Sequence, residues 1–289
     1  MKGIIIPAVE KYENLLYSNI KYLREIFNCN LPIEIWQIGQ EISDNMKKTL
    51  ETDQEKWNII FKNVNDYTDN PEHWRGYQIK AFVLKYTDFD EIILCDCDSV
   101  FLISPEIIFK DPNYITTGTF FFKDYLRHTP KNDEEENRII WFKKMFPDPP
   151  QYLPEECYYL YNINTDKQQM WFYQESGVVY LNKNMHPDII ESIYKLNEQH
   201  QETYKYVHGD KETFWIACLL CNKPFYMNHY PGINLKPDIN MPNCFIEKIS
   251  PSFTHIYKIN NKENIFFYSQ KGYPDFKKIT NKIVIDQLQ

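Results

Sequence analysis

Glu91-Ile92-Ile93-Leu94-Cys95-Asp96-Cys97-Asp98-Ser99-Val100 decides the reading of this chain. An almost unbroken apolar run that stops at two acids is the pattern of a strand buried on both faces, as in a parallel sheet, and ending at a ligand-bearing edge. Residues two apart on a strand point to the same side, so Asp96 and Asp98 converge if extended geometry persists past Cys95. Two neighbouring carboxylates at the end of a buried strand repel each other and lose hydration. A divalent cation relieves both costs, and hard oxygen ligands favour Mg²⁺ or Mn²⁺ over zinc. The alternative is a strand end capped by two solvated acids. Cys95 and Cys97 fall on the opposite face and read as packing residues, too close along one strand to bridge easily.

Outward from this stretch, strand and helix signals alternate through the first 110 residues. Gly3–Pro7 reads as a strand, and Glu10–Phe27 as a helix with Leu15, Leu16, Ile20, Leu23, Ile26 and Phe27 on one stripe. Pro32–Ile38 alternates apolar and polar residues as a strand does. A polar helix is predicted over Ser43–Thr52 with Ser43 as N-cap, then a strand over Trp57–Val64 and a helix over Gly76–Tyr86. Such alternation predicts an α/β fold with a mixed, mainly parallel sheet flanked by helices. Asp133–Arg138 reads as a solvated face or loop, and the proline-rich Phe146–Glu156 as a loop or extended segment. A strand is predicted over Trp171–Asn182, and helices over about Pro187–Glu198 and over Gly209–Cys221. Short strands and proline turns follow from Asn222. The expectation is one domain over 1–289, with about 1–110 binding nucleotide and about 111–289 shaping the donor-sugar and acceptor side.

Composition removes several classes. The 289 residues are 43% apolar and 25% charged, an ordinary globular balance. With 32 basic and 40 acidic residues the net charge is −8, which argues against a nucleic-acid partner. The 22 Tyr and 19 Phe suit a sugar site or a core equally well. No stretch approaches a membrane span, and the apolar run at residues 4–6 is too short for a signal peptide. Seven cysteines and no Asn-x-Ser/Thr acceptor fit reduced thiols in a chain that is not secreted.

Asp-x-Asp is shared by two enzyme classes. Haloacid-dehalogenase-like phosphatases carry an apolar strand followed by such a string, and Asp96-Cys97-Asp98-Ser99-Val100 fits it. Those enzymes place it on the first strand and need a later strand ending in two acids. Here it falls on about the fourth, and no second acidic strand end follows. The other class is the GT-A nucleotide-sugar glycosyltransferases. Leu31–Trp36, Gly76–Phe82, Ile92–Val100, Thr117–Asp124, Gln174-Glu175-Ser176-Gly177-Val178-Val179 and Gly209-Asp210-Lys211-Glu212-Thr213-Phe214-Trp215 occur in this order. They resemble the blocks of the Mnn1-type α-mannosyltransferases, glycosyltransferase family 71, across about residues 3–230.

The resemblance implies a GT-A fold and a retaining, Mn²⁺-dependent (or Mg²⁺-dependent) transferase that uses GDP-mannose and glycosylates a hydroxyl of a glycan or glycoprotein. Asp98 would hold the metal, with Asp96 on the metal or the ribose. His255, in the alternating stretch Phe253–Tyr257, is the candidate third ligand, with His229 and His208 as rivals. Pro7 and Ala8, ending the first strand, fall where related folds bind the base. Lys80 and Arg75 are candidates to approach the diphosphate or to be ordinary surface cations. Gly118 and Gly209 join them as candidate nucleotide- or donor-binding positions. Glu175 is the candidate nucleophile or stabiliser beneath the sugar, and Asp210 faces the sugar hydroxyls or N-caps a helix. Trp215 and the pair Cys218 and Cys221 read as core. Family members carry an N-terminal anchor and stem that are not seen here, so a soluble, cytoplasmic location is expected over a secreted one. A degenerate transferase that only binds glycans or partners is the remaining alternative.

Overall fold

A computed structural model describes residues 1–125, 133–166, 174–235, 252–259 and 262–269. The first half runs β1 (Lys2–Pro7), α1 (Glu13–Glu25), β2 (Ile33–Gln37), α2 (Asp44–Thr52), α3 (Gln54–Trp57), β3 (Ile59–Asn63), α4 (Ile79–Tyr86), β4 (Glu91–Cys95) and β5 (Ser99–Phe101). It continues through α5 (Pro112–Thr117), β6 (Thr119–Tyr125), α6 (Asp133–Met145), β7 (Gln174–Asn182), α7 (Pro187–Glu198), α8 (His200–Thr203), α9 (Thr213–Leu220), β8 (Met227–Leu235), β9 (Ser252–Ile259) and β10 (Lys262–Ser269). The strands lie in the order β3-β2-β1-β4-β7-β6-β8-β9-β10-β5. β3, β2, β1 and β4 run parallel, β7 enters antiparallel between β4 and β6, and β6 pairs parallel with β8. This is the mixed sheet flanked by helices that the alternating pattern predicts.

Period-two side-chain alternation builds a core on each face. On β1 and β4, Ile4, Ile6, Ile93 and Cys95 pack with Leu16 and Ile20 of α1 and Leu50 of α2. Ile5, Ile92 and Leu94 point the other way, into Phe82 of α4, Ile189 of α7 and Trp215 of α9. Both faces being covered explains why the β4 run is apolar throughout. On β2, too, the polar positions of the alternating pattern are covered. Glu34 is fully buried, and the Trp36 indole donates to its carboxylate at 2.8 Å.

Several boundaries move for identifiable reasons. Ser43 does cap α2, its hydroxyl accepting from the Met46 amide at 3.2 Å. Trp57 ends a short helix, and Asn58, at φ 50°, makes the left-handed turn into β3. α4 begins at Ile79, because Gly76 holds φ at 117° just before it. The acidic run from Asp133 opens a helix and not a loop, with Glu136 and Asn137 exposed as on a solvated face. Of the strand predicted from Trp171, residues 171–173 lie outside the described residues and the rest forms β7. α9 starts at Thr213, so Asp210 lies in the turn before it. Asp210 is therefore not the N-cap; its carbonyl accepts from the Thr213 amide at 3.0 Å.

Gly3 sits where a Cβ would stand 2.2 Å from ring atoms of buried Phe89. Gly3→Ala is expected to destabilise the fold by about 1–3 kcal/mol through overpacking. Denaturant unfolding would measure this, and Phe89→Leu in the same chain should restore part of the loss.

Candidate active site

The strand does not stay extended past Cys95. Asp96, Cys97 and Asp98 form a turn closed by the Ser99 amide donating to the Asp96 carbonyl at 3.0 Å. Three neighbours fix that turn. The Asn19 amide of α1 donates to the Cys97 carbonyl at 2.6 Å and the Ser99 carbonyl at 3.2 Å. The Cys97 thiol donates to the Pro7 carbonyl at 3.0 Å, and the Asp96 amide to the Gly177 carbonyl at 2.9 Å. The two acids therefore reach one place through a braced turn and not through strand geometry. Both line a cavity of about 540 Å³ at the carboxyl ends of β1, β2 and β4, where open α/β sheets bind ligands. Pro7, Ala8, Arg75 and Lys80 line it too.

Lys80 is neither a surface residue nor a free cation. Its side chain is 7% exposed, and its ammonium spans the Asp96 carboxylate at 2.9 and 3.0 Å, the Ser176 carbonyl at 2.9 Å and Asp210 at 3.4 Å. Burial opposes its charge, yet Asp210 and Asp96 raise its pKa above the ordinary lysine value. Burial pushes Asp96 up to about 7 despite Lys80, with Asp98 and Asp210 adding like charge. Asp98 is likewise raised, first by burial.

A second lysine organises the adjoining acids. Lys211 donates to Glu175 at 2.6 Å and to Asp124, at the end of β6, at 2.9 Å. The other Glu175 oxygen accepts from the Gly177 amide at 2.9 Å. Burial would raise the Glu175 pKa, but Lys211 above all, with Lys80 behind it, brings it below the usual carboxylate range. Glu175 is thus held as the anion. Gly209 is left-handed at φ 63°, and a Cβ there would meet the Tyr77 ring at 2.8 Å; Tyr77 lines the cavity.

His255 is fully buried in β9. It is stacked on Phe267 at 4.4 Å, and among the described residues neither ring nitrogen has a hydrogen-bond partner. Burial lowers its pKa to about 4 against the pull of Glu175, so the ring is neutral, the form that binds metals. Among the described residues, no three His, Cys, Asp or Glu side chains gather into a preformed metal cage. The chemistry of the donor set still fits. Mg²⁺-like ions use one or two carboxylates plus substrate phosphates in place of an all-protein cage. Asp96 and Asp98 supply such carboxylates at the cavity wall, and the orphaned nitrogens of His255 remain uncommitted. None of His255, His208 and His229 lines the cavity; His255 is set apart by lying close enough to Glu175 to act on it electrostatically.

Gly118 is not brought to the site. It caps α5 at φ 66° against His186, and β6 starts beside Leu181, which pairs with Ile92 near the start of β4. That is the edge opposite Asp96; the block Thr117–Asp124 delivers Asp124 to the site instead. Trp215 is core, and Cys218 is buried. The sequence reading overlooked Asn19, Asp124, Glu41 and Tyr77. Asn19 had left a signal, a lone amide on the apolar stripe of α1.

The sheet order, with a metal-suited acid pair at the edge of a parallel β-α-β half, defines a GT-A glycosyltransferase fold. A solved core-mannan synthase from Aspergillus fumigatus, described as its Mn/GDP form, matches 86% of this chain and 78% of its own at a TM-score of 0.53 and 12% identity. The family model described as "Mannosyltransferase putative" matches residues 1–237, and the chain belongs to that mannosyltransferase family. It is 33% identical over 207 residues to a Candida albicans protein named "Putative alpha-1,3-mannosyltransferase MNN12", covering 70% of this chain and 24% of that one. It is 27% identical over 263 residues to the Saccharomyces cerevisiae α-1,3-mannosyltransferase MNT2, covering 81% and 45%. The chain thus spans less than half the length of these relatives. Membership of this family displaces the phosphatase reading of Asp-x-Asp. Among the described residues no helix is long and apolar enough to cross a membrane. The relatives lend no support to a cytoplasmic location.

Lys80→Met leaves Asp210 buried and Asp96 half-buried without a counter-charge. It is expected to cost about 3 kcal/mol in denaturant unfolding. Adding Asp210→Asn should recover part of that loss, whereas a chain with Lys80→Met alone as stable as the parent would show the pair carries no stability.

Proposed function

We propose that the chain transfers mannose from GDP-mannose to a hydroxyl of a glycan or glycoprotein, with retention and with Mn²⁺ or Mg²⁺ as cofactor. The supporting observation is the convergence of Asp96, Asp98 and Lys80 on one wall of a cavity of nucleotide size, beside the anionic Glu175. In this reading, residues up to about 110 bind the nucleotide, and those beyond shape the sugar and acceptor side.

Asp98, with Asp96, would hold the cation, and His255 is the third candidate ligand. When bound, such an ion neutralises charge that develops on the departing diphosphate. The chain's own residues do the rest. Lys80 fixes Asp96 toward the cavity and keeps a positive charge beside the diphosphate position. Asp210, braced by Lys80, would accept from sugar hydroxyls. Glu175, kept ionised by Lys211 and oriented by the Gly177 amide, presents a carboxylate to the anomeric carbon. There it either stabilises the oxocarbenium-like transition state or bonds to the anomeric carbon as the bond to the departing GDP breaks.

Asp98→Ala is expected to abolish both mannosyl transfer and Mn²⁺-dependent GDP binding while leaving the unfolding midpoint within error. Full transfer in that variant, assayed with radiolabelled GDP-mannose and a mannoside acceptor, would refute the metal-holding role. Glu175→Gln should lower kcat by roughly 100-fold or more while donor affinity changes far less. Equal losses in both would make Glu175 a binding residue.

A further inference from the structure

The cavity extends from the Asp96–Asp98 turn, under Pro7 and Ala8, to a polar end past β2 where Glu41 and Arg75 line the wall. β2 lies two strands from β4 in the sheet. At a strand spacing of about 4.8 Å the two ends are about 10 Å apart. That is the reach of a nucleoside whose diphosphate sits at the acids, so Glu41 and Arg75 fall where the hydrogen-bonding edge of the base arrives.

Glu41 is largely covered, and Arg75, 44% exposed, is paired to it. One Glu41 oxygen accepts from the Ile38 amide at 3.2 Å, and the other accepts from Nη1 of Arg75. Nε and Nη2 of Arg75 donate to Glu72 at 2.6 and 2.8 Å. Glu72 is an outer anchor that keeps the guanidinium from swinging away. A carboxylate offers about four lone-pair positions and a guanidinium five N–H groups. Two acceptor positions on Glu41 and two donors on Arg75 are therefore left for a ligand, side by side. The Glu41 side chain is 17% exposed, so those positions are not simply handed to bulk water.

We propose that Glu41 and Arg75 form a guanine-reading pair that sets the base specificity of the donor site. The guanine edge presents an acceptor, O6, next to two donors, N1–H and the 2-amino group. Arg75 donates to O6, and the Glu41 carboxylate accepts from N1–H and N2–H. Uracil keeps one donor between two acceptors, so its O2 meets a carboxylate oxygen and is repelled. Adenine reverses the pattern at both positions it shares. A bidentate contact of this kind discriminates by roughly 10- to 100-fold. The inference rests on the nucleotide-sugar reading of the cavity and adds to it the atoms that choose the base.

The test is equilibrium binding of GDP, IDP and UDP to the whole chain with Mn²⁺, for the parent and for Glu41→Gln. IDP differs from GDP only by lacking the 2-amino group. The parent should bind GDP roughly tenfold or more tighter than IDP. In Glu41→Gln, GDP binding should fall roughly 10- to 100-fold. IDP should fall less, so that the two converge, and UDP should hold or strengthen because the new amide can donate to O2. Arg75→Met should weaken GDP and IDP alike, since both carry O6. A parent that binds IDP as tightly as GDP overturns the proposal without recourse to any variant. So does a Glu41→Gln chain in which the GDP to IDP ratio is unchanged, whether affinity is kept or lost uniformly. If mannosyl transfer from GDP-mannose proceeds in either of those cases, the functional reading survives and only the assignment of Glu41 falls. If no nucleotide binds the parent, both fall together.

Discussion

The site is organised around one buried ammonium. Lys80 sits on α4, beneath the acid turn, where a lone cation would be too poorly solvated to persist. It is stable there because Asp96, Asp210 and the Ser176 carbonyl surround it. These partners come from three separate segments: the turn after β4, the turn before α9, and β7. One charge thus ties the early parallel half of the sheet to the later half. The tie runs both ways. Asp96 and Asp210, crowded with Asp98 and Glu175, would repel one another without a cation among them.

Lys211 repeats the device a short way along. It bridges Asp124 and Glu175, and so keeps a carboxylate ionised beside a fully buried, neutral His255. Two lysines shared among five acids leave the site net negative. That imbalance suits a cavity whose ligand would arrive with a divalent cation: the excess acid is the protein's half of a charge balance completed on binding. It also accounts for the absence of a closed ligand cage among the described residues, because a cation shared with a diphosphate takes much of its coordination from the substrate.

Much of the scaffold was legible. β1, β2, α1, α2 and α7 lie close to where periodicity and capping put them, because each combines a clear apolar pattern with a local stop signal. Less legible were elements whose boundary depends on contacts made elsewhere. The acidic run from Asp133 became helical, and α9 began four residues after the predicted Gly209, which adopts a left-handed turn packed against Tyr77. Within the site, the block containing Gly118 was expected to bring its glycine to the donor. The strand that Gly118 precedes carries Asp124 to the site edge and leaves Gly118 at the far one.

By itself the sequence determined that a doubly buried strand would end in paired acids, and which blocks would flank it. Apolar runs, turn residues and acid spacing are local properties, and they survive in a linear string. Only the tertiary structure decided that Lys80 would be buried between Asp96 and Asp210, that Asn19 would hold the acid turn, and that Glu41 and Arg75 would face the far end of the same cavity. Those relations join residues tens of positions apart. No spacing rule reports them, since each depends on which strand ends the sheet order makes neighbours.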